Sequence, residues 1–537
     1  MNYQSAAKLW LEQDPDPTTR AELEGLLAEG NEEELADRFS QSLQFGTAGL
    51  RGELGAGPNR MNRIVVARAA RAIGMFLLAN RGEFSHADGE LKVVIGYDGR
   101  HNSNVFAQDS ARVLAGLGLS PMLFDQMVPT PVAAFTGRRL GAAATIMVTA
   151  SHNPPRDNGY KVYLGGKFGG SQLIPPQDAE IAELIAETAT SKAFGEIETS
   201  DSFDLLGNAE IAEYVKRAEA LAVSSRLSES GITITHTALH GVGWSVIDKI
   251  FQGLGFHLLP TKEQQDPDGD FPTVSFPNPE EKGAMDLAMQ TARANGSDLI
   301  LANDPDADRL AVAVRDGDDF RMLTGDEVGL LLADRCASRV GKGALANSLV
   351  SADISEVAKR YGLKYEQTLT GFKWISKVPN LIYGYEEALG YCVDPEHTPD
   401  KDGITAAVLV AELAAELKLA GRSLLDHLEH LEAEYGKLAT GQVSIRVSDL
   451  SVIARIMSGV RNNPPVAFGD EPLVFEDLLL SKTHRTDAVV LTGARTRMIF
   501  RPSGTEPKLK CYLQYRGNKE ELRSLEAFAN ELIADFQ

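Results

Sequence analysis

Apolar and polar positions along the chain fall into a pattern that repeats. Val93, Val94 and Ile95 make a short unbroken apolar run of the kind a buried strand needs, and Val105 to Leu117 carries apolar residues at helical spacing. Gly118 then supplies a helix-end signal, and a second strand-like run follows at Pro121 to Phe124. The same order returns at Ile232 to Leu239, Trp244 to Leu254, Gly255 and Phe256 to Leu259. It returns once more, shortened, at Ser348 to Ala352, Val357 to Tyr361, Gly362 and Leu363 to Tyr365. Three such units predict repeated α/β domains with mixed, largely parallel sheets.

Residues 1–40 differ: Leu9, Leu11, Leu23, Leu26, Leu27 and Leu35 stand among many acids, which predicts amphipathic helices acting as a packing extension. A helix at Ala209 to Ala222 is expected to bridge a first domain, 41–207, and a second, 208–323. Thr324-Gly325-Asp326 opens a third, 324–438, which a long helical run from Ile404 to Tyr435 closes. The remainder, 439–537, mixes strands at Gln442 to Val447, Met498 to Phe500 and Lys508 to Tyr515 with helices at Asp449 to Val460 and Lys519 to Phe536. That alternation predicts a C-terminal α+β domain.

Length and charge narrow the possibilities. At 537 residues the chain is too long for a single binding module, and its 43% hydrophobic and 24% charged residues are ordinary globular proportions. Lys and Arg number 53 against 75 Asp and Glu, a net charge of −22 that disfavours nucleic acid or an anionic membrane as partner. An anionic substrate must therefore meet a local cationic pocket. Cys336, Cys392 and Cys511 are scattered and form no C-x-x-C pair, which argues against a disulfide framework or a cysteine metal site. No apolar stretch reaches the roughly 18 residues of a membrane span, and the N-terminus lacks a leader-like apolar core, so a cytoplasmic protein is expected.

Five segments carry chemistry. Thr149-Ala150-Ser151-His152-Asn153-Pro154 follows the apolar run Ala142 to Val148 and so places a hydroxyl at the carboxyl edge of a sheet, where α/β proteins bind ligands. A simple turn would use the same residues, and a G-x-S-x-G hydrolase elbow is absent. Asp304-Pro305-Asp306-Ala307-Asp308-Arg309 lies between apolar Leu299 to Ala302 and Leu310 to Val314, and alternating carboxylates there suit a hard cation such as Mg²⁺. An EF-hand is excluded by Arg309 and Arg315 at its sixth and twelfth positions. Arg501-Pro502-Ser503-Gly504-Thr505 joins a guanidinium, two hydroxyls and a glycine into a phosphate cradle, while no Walker or dinucleotide glycine motif occurs. Gly384 to Tyr391 brackets Glu386 and Glu387 between glycines, suited to sugar hydroxyls, and Thr370 to Trp374 presents Lys373 on a glycine turn.

In order and spacing these segments resemble the α-D-phosphohexomutase superfamily of phosphoglucomutases and phosphomannomutases, from about Phe45 to Lys510. Phe45 to Gly52, Asn158 to Tyr163, Gly371 to Trp374 and Tyr385 to Tyr391 look like the branch that includes phosphopentomutases and sugar-bisphosphate synthases. The resemblance implies four domains around a central cleft, with Ser151 as a phosphoserine and Asp304, Asp306 and Asp308 as Mg²⁺ ligands beside it. It places Arg51, His152, Lys161 and Arg309 near the transferred group, with a lysine pKa lowered by neighbouring cations, Lys373 and Glu386 on the substrate, and Arg501, Ser503, Gly504 and Thr505 on the unreacting phosphate. The implied reaction interconverts sugar 1-phosphate and 6-phosphate through a sugar 1,6-bisphosphate, which also serves as activator, with glucose as first expectation and mannose next. The implied partners are small-molecule sugar phosphates, for a monomer or homodimer. Ala388 stands where hexose-specific relatives often place serine, which leaves open a phosphopentomutase, a sugar-1,6-bisphosphate synthase, a metal-dependent phosphatase or a non-catalytic sensor.

Overall fold

The computed structural model describes residues 2–45, 49–84, 89–447, 449–503 and 508–536. Each of the three repeated units forms a strand, a helix and a second strand. The three marker glycines end their helices as expected: Gly118, Gly255 and Gly362 take φ of 79°, 79° and 67°, one residue past the caps of Ser103–Gly116, Trp244–Gly253 and Ser355–Arg360. A side chain at these left-handed positions would be strained, so glycine is the residue that lets the chain turn back to its sheet.

By packing the chain divides into Met1–Leu323 with Leu389–Gly421, and Thr324–Ala388 with Arg422–Gln537. In the first unit, Lys92–Tyr97 pairs in parallel with Ser120–Phe124 and with Ala144–Val148. Asp157–Leu164 then folds back antiparallel on Ala144–Val148, and Leu50–Glu53 adds antiparallel to it. That reversal puts residues 149–156 at the carboxyl end of a central strand. A second sheet of this unit joins Ile234–Thr237 in parallel to Leu258–Pro260 and Leu299–Ala302, and Leu299–Ala302 pairs antiparallel with Ala311–Asp316. The aspartate segment is the connection of that last pair.

The N-terminal residues form helices Tyr3–Gln13, Pro17–Glu29 and Glu32–Phe39, started by the side chains of Asn2, Asp16 and Asn31 accepting backbone N–H groups. Trp10, Leu23, Leu35 and Phe39 enter the same core as Val93, Ile95, Ile146 and Val148. At about 1.5 to 3 kcal/mol for each fully buried large apolar side chain, these four residues tie the extension into the core of the first unit.

In the second unit Ala344–Ser348 pairs in parallel with Lys364–Thr368 and Leu381–Glu386. The tail is an antiparallel sheet ordered Leu438–Arg446, Lys508–Arg516, Thr496–Pro502, Val489–Thr492 and Val474–Asp477, with helices Leu450–Asn462 and Lys519–Ala534. Two expectations need correction. The strand expected at Ser348 to Ala352 lies at Ala344–Ser348, because residues 349–352 turn so that Ala352 N–H can reach Asp326 Oδ1 at 2.7 Å. The single helical run Ile404 to Tyr435 is two helices, Gly403–Leu419 and Leu424–Tyr435, broken where Gly421 adopts φ 69° and Ser423 caps the second. Among the described residues the three cysteines are buried and no disulfide joins them, and no helix is long and apolar enough to cross a membrane.

Candidate active site

Ser151 begins the turn after Ala144–Val148 with φ 52°, a left-handed conformation that a serine adopts only when its surroundings hold it there. Two groups do so. Thr149 Oγ1 accepts the Ser151 N–H at 2.9 Å. The Arg100 guanidinium donates to the carbonyls of Ser151 and Asn153 at 2.6 Å each, Pro154 at 2.8 Å and Asp157 at 3.0 Å, with its other face 4.9 Å from the Phe271 ring centroid. One buried cation thus ties four carbonyls of the turn together, with Pro154 O also accepting the Asp157 N–H at 3.0 Å.

The Ser151 hydroxyl donates to Asp304 Oδ2 at 2.8 Å and lies 3.2 Å from His152 Nδ1. Asp304, Asp306 and Asp308 are fully buried, and Ala307 between the last two takes φ 57°, so alternate side chains converge. Each offers an oxygen within 4.8 Å of the others. Asp306 Oδ2 accepts from Thr130 Oγ1 at 2.5 Å and from Lys161 Nζ at 2.6 Å, and Asp308 Oδ2 accepts from Lys161 Nζ at 2.6 Å. Lys401 Nζ lies 3.2 Å from the same Asp308 oxygen. The other oxygens, Asp306 Oδ1 and Asp308 Oδ1, are buried with no hydrogen-bond partner among the described residues. A buried carboxylate oxygen left unmatched is costly, and converging anionic oxygens beside a hydroxyl are the donor set of a hard cation.

Electrostatics sort the three acids. Burial, and then repulsion from Asp308, raises Asp304 and Asp306 above the usual carboxylate range. Burial opposes ionisation of Asp308 too, but Lys161, Lys401 and Arg309 outweigh it and hold that carboxyl far below its ordinary value. Lys161 corrects an expectation: burial lowers its pKa, yet Asp306 and Asp308 overcome this and the opposing charge of Lys401 and raise it. His152 falls well below its usual value because it is buried and faces Arg309 and Arg51.

The remaining cations frame the site. Arg51, on Leu50–Glu53, donates from Nη1 to Asn153 Oδ1 at 3.0 Å. The Arg309 backbone N–H donates to Asp304 Oδ1 at 3.0 Å, and its Nε lies 3.9 Å from both Asp304 Oδ2 and Asp308 Oδ1. All eight residues assigned to the chemical step, Ser151, His152, Lys161, Arg51, Arg309 and the three aspartates, lie in the first unit. Sequence reasoning missed Arg100, Thr130 and Lys401. Arg100 could have been noticed, for it follows the Lys92–Tyr97 strand at the same carboxyl edge as Ser151. Nothing local marks Thr130 or Lys401, whose partners Asp306 and Asp308 are distant in sequence.

The residues that the resemblance assigns to the substrate belong to the second unit. Lys373 is buried on the short helix Phe372–Ile375, with Nζ 5.4 Å from the Trp374 ring centroid. Glu386 ends Leu381–Glu386, and its Oε1 accepts the Gly371 N–H at 2.7 Å, tying the acid to the turn that carries Lys373. Glu387 accepts from Ser351 Oγ at 2.7 Å and is pushed up to about 7, first by burial and then by Glu386. Arg501 lies near the end of Thr496–Pro502, and the Ser503 N–H donates to Lys508 O at 2.8 Å. Gly504 and Thr505 lie outside the described residues, as do positions 46–48.

Comparison with known proteins adds the lineage. Models of the phosphoglucomutase/phosphomannomutase alpha/beta/alpha domains I, II and III match residues 42–192, 212–317 and 324–435. A Haemophilus influenzae protein named "Probable phosphomannomutase" is 44% identical, covering 85% of this chain and 93% of that one. Human phosphopentomutase is 34% identical over 98% of this chain and 94% of its own, and a Staphylococcus aureus phosphoglucomutase 30% over 95% of each. The solved structure of a phosphoglucomutase/phosphomannomutase family protein from Burkholderia thailandensis shares the fold, with a TM-score of 0.71 at 20% identity over 91% of this chain and 97% of that one. With its buried serine and aspartate cluster, its α/β domains and these full-length relatives, the chain belongs to the phosphoglucomutase/phosphomannomutase family of the α-D-phosphohexomutase superfamily, enzymes that transfer phosphate within a sugar phosphate.

Proposed function

We propose that this enzyme interconverts the 1-phosphate and 6-phosphate of a hexose, glucose or mannose, with Ser151 as phosphoryl carrier. The observation that carries this reading is the Ser151 hydroxyl 2.8 Å from Asp304, beside two buried and unmatched carboxylate oxygens of Asp306 and Asp308. In the forward half-reaction the P–O bond to Ser151 Oγ breaks, a bond forms to the free sugar hydroxyl, and that hydroxyl gives up its proton. The sugar 1,6-bisphosphate so made turns over, and its other phosphoryl group returns to Ser151 as the sugar oxygen regains a proton. Lys161 and His152 are the neighbouring groups able to exchange that proton, and both sit within the serine and aspartate cluster. Asp304, Asp306 and Asp308, with an oxygen on Ser151, would hold Mg²⁺, whose charge would offset that of the transferring phosphoryl group.

Arg51 and Arg309 lie where they can grip the same group, and Arg501 with the Ser503 segment suits the phosphate that does not react. Lys373 and Glu386, joined through the Gly371 turn, would read the sugar. A pentose reading is the second, favoured by Ala388 and by near full-length similarity to human phosphopentomutase. Assay of glucose, mannose, ribose and deoxyribose 1-phosphates, primed with a sugar bisphosphate, decides between them. The hexose reading expects glucose or mannose 6-phosphate as the main product, and a strict requirement for pentose phosphates would overturn it. Release of inorganic phosphate without isomerisation would favour a phosphatase, and substrate binding without either product a sensor.

A further inference from the structure

We infer that the N-terminal helical extension is a positioning device for the active site, with Glu22 and Arg38 as the residues that transmit it to Arg51. Arg38 is 5% exposed, and all three of its nitrogens are used. Nε donates to Glu34 Oε1 at 2.8 Å, Nη2 to Glu22 Oε1 at 2.8 Å, and Nη1 to the Ala56 carbonyl at 3.2 Å. The second Glu22 oxygen accepts the Ala56 N–H at 2.9 Å. Two helices of the extension therefore hold both polar groups of a single residue in the loop that follows the Arg51 strand. The fit is close: a Cβ on Gly57, which has φ 105°, would lie 3.1 Å from Arg38 Cβ.

The grip continues on both sides of Ala56. Asn59 N–H donates to Arg38 O at 3.2 Å, and Leu43, just past the extension, donates its N–H to Pro58 O at 2.9 Å. Arg60 Nη2 donates to Asp37 Oδ2 at 2.5 Å, while its Nε lies 3.9 Å from Glu53 Oε2. On the strand itself Leu43 packs so tightly over Gly52 that an added Cβ would meet its Cδ2 at 2.8 Å. Arg51 stands beside Gly52, opposite Gly159 in the ladder, and its Nη1 holds Asn153 Oδ1 in the Ser151 turn. Arg51 to Ala56 is a span of six residues, strand at its start and tied by Leu54 N–H to Arg156 O at 2.8 Å and Gly55 N–H to Met61 O at 3.2 Å, so a displacement of Ala56 is carried toward Arg51. Burial disfavours the Arg38 charge, but Glu22 and Glu34 outweigh it and favour that charge, and the cluster is directed onto one alanine's backbone, which the apolar packing of the extension does not by itself require.

This inference rests on the proposed role of Arg51 at the transferred phosphoryl group, and the experiment separates the two. Arg38→Met, Glu22→Gln and Arg38→Lys are compared with Arg51→Ala for kcat, KM and melting temperature, with hydrogen exchange measured at residues 50–56 and 93–97. Displacing a catalytic group by a fraction of an ångström should lower kcat about tenfold in Arg38→Met and Glu22→Gln with KM held within about twofold. Exchange should speed up at residues 50–56 and stay unchanged at 93–97, and Arg38→Lys, which keeps the charge but loses the fixed fork of donors, should recover part of kcat. If Arg51→Ala loses turnover while Arg38→Met and Glu22→Gln keep it, the inference falls and the mutase reading stands. If Arg51→Ala itself turns over normally, the role assigned to Arg51 falls and the inference with it. Should Arg38→Met fail to fold, Glu22→Gln alone gives the same decision.

Discussion

The Ser151 turn and the Glu386 segment are both short connections at the ends of buried strands, but they are held in different ways. Ser151 has a fixed backbone, with Arg100 spanning four carbonyls, Thr149 on its N–H and Asp304 on its hydroxyl. The Glu386 to Ala388 segment is half-exposed, and its acids are spent on holding neighbouring turns, Gly371 for Glu386 and Ser351 for Glu387. On the proposed roles, the contrast is between a fixed reaction centre and a sugar segment left comparatively open. A centre that would meet a phosphoryl group twice in each cycle gains from rigidity, whereas a segment that would accept either end of a turning intermediate gains from tolerance.

The largest effect should come from the rigid side. Ser151→Ala is expected to lower turnover on the order of 10³-fold or more while leaving melting temperature nearly unchanged, since it removes the acceptor oxygen and keeps the turn's backbone contacts. Activity within tenfold of wild type would mean that the ordered turn serves some other purpose. Next is the carboxylate cluster: Asp306→Asn should weaken Mg²⁺ binding at least about tenfold, read as loss of the rise in melting temperature that Mg²⁺ gives the wild type. Chelation of wild-type enzyme should stop turnover and readdition restore it. An unchanged Mg²⁺ response in Asp306→Asn would show that the unmatched oxygens are not cation ligands.

How these two regions read in the sequence follows the same division. Ser151, the three aspartates and the marker glycines were legible because each is a local signal, a residue type at a fixed place after an apolar run. Arg100, Thr130 and Lys401 were not, because what matters about them is a contact made across the fold, as when Thr130 reaches Asp306. The pKa of Lys161 was misread for a related reason: sequence shows that cations cluster in the motifs but not that the lysine itself lands between two carboxylates. The third repeat's strand was misplaced because Leu349 and Val350 look like strand but are buried on a turn.

On the tolerant side effects should be smaller. Arg501→Ala should raise KM with little change in kcat, since a grip on the distal phosphate acts alike in ground and transition states, at a cost of about 1.5 to 3 kcal/mol. Unchanged kinetics on every sugar phosphate would remove the tail from the site. Ala388→Ser is the mildest test. It supplies a hydroxyl where the wild type has none, so the ratio of kcat/KM between glucose and mannose 1-phosphates should shift by about 0.5 to 1.5 kcal/mol, with wild type using both. Identical ratios in the two proteins, or a wild type confined to one sugar, would mean that specificity is set elsewhere.

The central claim, that Ser151 passes its phosphoryl group to a sugar, is tested most directly by a single turnover of enzyme carrying a radiolabelled phosphate. The label is located first by peptide mapping, and unlabelled glucose 1-phosphate or mannose 1-phosphate is then added in the presence of Mg²⁺. The account predicts label on the peptide containing Ser151 and its appearance in hexose bisphosphate and then hexose monophosphate within one turnover. Label that stays on the protein while isomerisation proceeds, or that leaves only as inorganic phosphate, would contradict it.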